Sequence, residues 1–324
     1  MGKVSFGVMI PEGHKFSLPS SASTSKQYEM ILETARFAEK MGFDSGWLFD
    51  HFYPWPIITR DSCFESWTLL AALAAETKSL RLGHMVTCNS YRYPSILAKM
   101  AATVDVISNG RLEFGIGAGW YEEEYKAYGI PFPQPSIRIG MLEEAVQIIK
   151  KMWTEERASF VGTYYSVDEA LNEPKPLQKP HPPITIGGGG EQRTLRVAAK
   201  YADRSNVGGF PDFEGYRRKF VLLEKYCIEA GRSPKAVEKS FFRDVFIGED
   251  EVEVKRKAEI FKPKYDTLTE FFHRQIFATP EECIAEIKKY QELGITHFII
   301  YFPDAVELTP MEIFAKKVMP FIKS

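Results

Sequence analysis

Cysteine is scarce in this chain, and a large excess of charge of either sign is missing. The four cysteines, Cys63, Cys88, Cys227 and Cys283, lie far apart, and none forms a C-x-x-C pair. That spacing argues against a disulfide scaffold or a cysteine zinc site and suits a reduced, cytoplasmic protein. The 41 Lys and Arg residues are balanced by 43 Asp and Glu, a formal net charge of −2. Both signs are interleaved, so there is no electropositive stripe to argue for nucleic acid. No apolar run approaches the roughly 18 residues that span a bilayer. The opening, MGKVSFGVMIPEGHK, enters a β-type pattern directly, without an apolar signal core or cleavage site. Hydrophobic residues make up 44% of the chain, enough for a sizeable core.

What is present is an alternation of strand and helix patterns. Eight segments read as strands: Val4–Ile10, DSGWLF, LRLGHMVT, RLEFGIG, PITIG, DRSNV, KSFFRDVFIG and THFIIYF. Helical spacing recurs between them. Tyr28, Ile31, Leu32, Ala35, Ala38 and Met41 form one apolar face, and further helices are expected over Arg138–Trp153, Phe213–Ala230 and Met311–Ile322. Eight strands, mostly separated by helices, predict an α/β fold, and the count favours a closed (β/α)8 TIM barrel over an open sheet. ASFVGTYYSV reads as an inserted hairpin, and Phe261–Ala278 as a lid or irregular excursion. No composition break marks a linker, so residues 1–324 are expected to form a single domain.

A barrel of this kind carries its chemistry where the strands end. Gly187, Gly188, Gly189 and Gly190 close the fifth strand and open a helix. Backbone N–H groups there can form a nest for a phosphate, although no Lys-Ser/Thr follows to make a P-loop. FGIGAGW ends the fourth strand as G-x-G-x-G, without the ribose-binding acid of a dinucleotide fold. Its Gly117, Ala118 and Gly119 would let a flat ring pass close to the backbone. DHFYPW follows the second strand, and its prolines end regular structure. Neighbouring strand residues face opposite ways, so Asp50 and His51 share a pocket only if the strand stops before them. His51 could exchange a proton near neutrality, Asp50 could orient its neighbours, and Tyr53 and Trp55 could wall a substrate. EEEY (Glu122–Tyr125) reads as a solvated helix start. Glu12 and Glu65 fit the mouth or the surface equally well, and His181 fits a rigid entry into the fifth strand.

On DHFYPW, on RLGHMVTCNSYRYPSILAKMAATVDVISNGRLEFGIGAGWYEEEYKAYGIPF and on PHPPITIGGGGEQRTLRVAAKYAD, the chain resembles the luciferase-like superfamily of (β/α)8 barrels. The resemblance covers nearly the whole length. Its D-H-x-x-P-W pattern is similar to that of the coenzyme F420-dependent sugar-phosphate and alcohol dehydrogenases. The resemblance implies an oxidoreductase that moves a hydride between the deazaflavin and a small organic substrate, with no metal. It implies catalytic roles for His51 in proton transfer, Asp50 beside the deazaflavin, and Trp55 on the substrate side. It further implies a cis Met85–Val86 peptide against the ring and a cofactor contact at Cys88. Gly117, Ala118 and Gly119 would pass near the cofactor, and Gly187 to Gly190 would cradle its phosphate. A homodimer is the expected assembly.

The sequence departs from the sugar-phosphate enzymes at Trp120, where they carry a carboxylate. An indole cannot donate a catalytic proton at neutral pH, which counts against glucose 6-phosphate as the substrate. Two other readings stand beside the leading one. One is an FMN-dependent monooxygenase of the same superfamily, served by a flavin reductase. The other is a cofactor-binding protein without turnover.

Overall fold

Eight parallel strands close into a ring in the computed structural model, which describes residues 3–15, 17–261, 274–304 and 307–323. They are β1 (Ser5–Met9), β2 (Ser45–Leu48), β3 (Arg81–His84), β4 (Leu112–Gly117), β5 (Ile184–Gly187), β6 (Arg204–Asn206), β7 (Glu238–Ile247) and β8 (Ile295–Tyr301). Each pairs with its successor, and β8 returns to β1 with Ser5 opposite His297. Every residue of β2, β4 and β5 is buried, as expected of strands covered on both faces. The outer layer includes α1 (Thr24–Lys40), α2 (Ser66–Glu76), α3 (Pro94–Ile107), α4 (Glu122–Ala127), α5 (Pro135–Thr154), α6 (Thr194–Tyr201), α7 (Phe213–Glu229), α8 (Glu251–Phe261), α9 (Pro280–Gln291), α10 (Thr309–Lys317) and a last turn, α11 (Pro320–Lys323). No helix among the described residues is long and apolar enough to cross a membrane.

Local chemistry sets the element ends. α5 starts at Pro135, three residues before the expected Arg138, because a first-turn proline gives up an N–H that would be unpaired anyway. α9 starts with a reciprocal capping box between Thr279 and Glu282. The third expected strand is interrupted: β3 stops at His84, the Met85–Val86 peptide is cis, and Thr87–Cys88 resumes pairing with β4. The inserted hairpin is present, with Ala158–Val161 antiparallel to Ser166–Ala170. Within the expected excursion Phe261–Ala278, Ile276–Ala278 instead forms a short strand parallel to β7, while residues 262–273 lie outside the described residues.

His84, at the end of β3, is 1% exposed and lies against Trp67. Burial pushes its imidazole down to about 4, against the pull of the Asp50 carboxylate. The unfolded chain takes up this proton near the ordinary value of about 6.5, so it binds more protons than the fold between the two values. Stability is therefore expected to fall as pH drops from about 6.5 to about 4, by up to ~1.4 kcal/mol per pH unit for this one group. Urea unfolding at stepped pH should show a shallower slope in His84→Asn. An identical slope would remove His84 from the acid response.

Candidate active site

A cleft of about 790 Å³ opens where the strands end, within the size range of cofactor sites. It is lined by residues following β1 to β6 and by Phe242 of β7. β2 ends at Leu48, so Asp50 and His51 escape the alternation of the pleat and both line the cleft. The cleft also takes in Trp55, Met85, Val86, Cys88, Gly117, Ala118, Gly119, Gly187, Gly188 and Gly189. Gly190 and Tyr53, both expected at the site from the sequence, fall outside its lining.

His51 has a partner that the sequence reading missed. Its Nδ1 lies 2.8 Å from Oε2 of Glu124, a residue of α4 with no solvent exposure. Oε1 of Glu124 accepts the backbone N–H groups of Phe52 at 2.7 Å and Tyr53 at 3.1 Å. Oε2 also accepts the Tyr91 hydroxyl, whose acidity burial suppresses further than Glu124 alone would. A carboxylate that accepts four donors fixes His51 with its proton on Nδ1 and leaves Nε2 for chemistry. EEEY is therefore not a solvated helix start throughout: Glu122 and Glu123 are exposed, whereas Glu124 faces inward. Tyr121, three residues before it, is also buried and marks that inner face.

Asp50 is occupied on both oxygens. Oδ2 accepts Thr87 Oγ1 at 2.6 Å, the Cys88 N–H at 2.8 Å and Arg92 Nη1 at 2.7 Å, and Oδ1 accepts Ser66 Oγ at 2.8 Å and Arg92 Nη2 at 3.0 Å. Burial opposes its charge, but Arg92, His84 and Thr87 outweigh that and hold the carboxyl well below the usual range. Glu12 behaves in the opposite way. It is 2% exposed, with one oxygen on the Phe49 N–H and the other without a partner among the described residues. Burial pushes its carboxyl well up against that one hydrogen bond, with help from Asp50 and Glu124. Glu65, by contrast, caps α2 at the rim and pairs with Arg92. His181 donates from Nδ1 to the Pro182 carbonyl at the entry to β5.

Aromatic rings wall the mouth. Trp120 meets His51 edge-on at 5.6 Å and Trp55 at 6.1 Å. Burial pushes the Cys88 thiol up to about 12, and its sulfur rests 3.0 Å from the Tyr125 hydroxyl.

The glycines have two different reasons. A Cβ on Gly117 would lie 2.8 Å from Val86 Cγ2, and one on Gly187 would lie 2.7 Å from the same atom. Those two positions are bare because the protein's own valine occupies the space. Gly188 has φ +130°, which L side chains rarely adopt, and a Cβ there would meet Thr194 at 3.0 Å. Lys219, from α7, reaches the same loop and donates to the Gly189 carbonyl. Gly188, Gly189, Thr194 and Lys219 thus line one end of the cleft, beside the start of α6, and Lys219 also pairs with Glu191 at 3.4 Å.

The luciferase-like monooxygenase family model matches residues 4–275. The chain belongs to that family. One relative, the F420-dependent glucose-6-phosphate dehydrogenase of Amycolatopsis mediterranei, is 28% identical, with 91% of this chain and 94% of that protein aligned. Among solved structures, an F420-dependent secondary alcohol dehydrogenase in complex with an F420-acetone adduct superposes with a TM-score of 0.84 at 23% identity, covering 100% of both chains. The monooxygenase RslO1 from Streptomyces bottropensis superposes at 0.83 and 21% identity, over 98% of this chain and 99% of its own. At these identities the two structures establish the fold, which is the luciferase-like TIM barrel.

Proposed function

We propose that this chain is a coenzyme F420-dependent oxidoreductase in which His51 exchanges the substrate proton. The observation that carries the reading is the His51–Glu124 pair, set in a cleft whose far end is a glycine cradle. The fit to the cofactor rests on that cradle, where Gly188, Gly189, Thr194 and Lys219 would hold a phosphate. Gly117, Ala118 and Gly119, with Met85, Val86 and Cys88, would line the flat part of the group. When bound, the deazaflavin supplies two-electron hydride chemistry. His51 Nε2 takes the proton of a substrate hydroxyl, or returns it to a carbonyl oxygen, and Glu124 stabilises the imidazolium. Asp50 acts through Arg92, Thr87 and Cys88 as a positioning residue, and Trp55 walls the substrate.

The substrate class that fits is a small neutral alcohol or carbonyl compound. Three cationic residues line the cleft among the described residues. Lys15 is ion-paired with Asp244 at 2.8 Å, Arg138 lies over the Phe132 ring, and Lys219 sits at the cradle. Phe49, Trp55, Phe210 and Phe242 make the rest of that wall aromatic, which suits a phosphate monoester poorly. We further read the protein as a single-domain, cytoplasmic homodimer.

Titration of the purified apo-protein with F420, and separately with FMN, tests the reading. Micromolar or tighter F420 binding, with reduction of F420 by secondary alcohols in preference to glucose 6-phosphate, is expected. Preferential FMN binding would overturn it in favour of an oxygen-dependent monooxygenase with a flavin reductase. Gly188→Val is expected to raise the F420 dissociation constant by about tenfold or more, by blocking the cradle. An unchanged constant would remove the phosphate from that loop.

A further inference from the structure

Two imidazole rings lie face to face at the mouth of the cleft. The centroids of His14 and His51 are 3.8 Å apart and their planes 7° apart. His14 is 3% exposed, and its Nδ1 donates to the Tyr53 carbonyl at 2.9 Å. Its loop is fastened on both sides. The Trp55 N–H donates to the His14 carbonyl at 2.6 Å. Gly13 turns at φ +108° so close to Ser62 that a Cβ would lie 1.8 Å from the Ser62 carbonyl oxygen.

Two imidazoliums at this separation, away from bulk water, would repel strongly, so the stack holds at most one excess proton. The surrounding groups decide which ring carries it. Of the buried acids nearby, Glu12 bonds the Phe49 N–H and Asp50 bonds Arg92, so among the described residues Glu124 is the acid hydrogen-bonded to a histidine of the pair, and that histidine is His51. His14 has a carbonyl in place of a carboxylate, and burial, His51 and the adjacent Lys15 all disfavour charge on it.

We propose that His14 is a positioning residue for proton transfer: its neutral ring is the π platform against which the His51 imidazolium forms. The proposal rests on the reading of His51 as the proton-transfer residue. A neutral aromatic face attracts a cation, and here the attraction is greatest in the protonated state, so it assists the step in which His51 becomes charged.

Nitrogen-15 NMR of the histidine rings in the intact chain, without cofactor, reads this directly. There are six histidines, and His51→Asn identifies the His51 signals. His14→Ala is expected to lower the ionisation midpoint of His51 by about one pH unit. His14→Phe keeps a flat face and should hold the midpoint within about 0.3 unit of the parent, whereas His14→Lys places a fixed cation beside the ring and should lower it further than alanine does. In cofactor-loaded protein, the limb of the kcat profile belonging to His51 should move with the midpoint. A parental midpoint in His14→Ala, or a fall in His14→Phe as large as in His14→Ala, would overturn the platform. If the alanine variant fails to fold, the phenylalanine and lysine variants decide by the same ordering. The NMR readout needs no turnover, so it stands or falls separately from the F420 assignment.

Discussion

Glu124→Gln is expected to lower kcat by roughly 10²–10⁴-fold while changing the F420 dissociation constant by less than about threefold. The amide has one acceptor oxygen where the carboxylate has two, and four donors converge on this group. It also carries no charge to stabilise an imidazolium, so both the fixed tautomer and the acid strength of His51 change. His51→Ala should match or exceed this loss, and the two losses together should fall well short of the product of the singles, because both residues act on one proton. Steady-state kinetics with separate cofactor titrations give the test. Near-parental turnover in Glu124→Gln would mean that the carboxylate only braces the loop. A His51→Ala protein that binds F420 normally and loses turnover would also exclude a binding protein without catalysis.

Arg92→Met should cost roughly 3–5 kcal/mol of stability. Asp50 is buried, and the bidentate contact from Arg92 is the only ion pair of its carboxylate among the described residues. Removing the arginine leaves that charge in low dielectric. The double variant Asp50→Asn/Arg92→Met should be more stable than Arg92→Met alone, since no uncompensated charge then remains. The acid response carries a definite sign. The folded carboxyl is held below its unfolded value, so its contribution is present above the ordinary carboxylate range and is lost as pH falls below about 4. Urea unfolding of the three variants at pH 7 and at stepped acid pH measures both effects. A loss under about 1 kcal/mol in Arg92→Met would show that water or a neighbouring donor replaces the guanidinium.

The barrel was legible because its evidence is local. Short buried runs alternate with 3.6-residue periodicity eight times, and each of those runs became a strand of the ring. The ends of β2, β4 and β5 were legible for the same reason, since prolines and glycines announce where pleating stops. Glu124 was not. Its meaning depends on His51, which is 73 residues away, and on the Phe52 and Tyr53 N–H groups that the bend after β2 aims at it. No spacing rule encodes that meeting. Glu12 and His14 were obscure for a related cause: burial of a polar side chain follows from the way the loops after β1 and β2 interlock, which neither loop reveals alone. The break in the third strand was hidden because LRLGHMVT has strand composition throughout, and the cis bond at Met85–Val86 came from family likeness.

Val86 ties the freedom of two positions together. Gly117 and Gly187 sit on different strands, yet both lack a side chain for the sake of the same methyl group. Substitution at these sites should therefore be epistatic. Alanine at Gly187 alone is expected to be poorly tolerated and should be rescued in part by Val86→Ala, which vacates the space the new methyl needs. Over generations, position 86 and position 187 would drift as one unit of sequence, with volume surrendered on one strand before it can be taken up on the other.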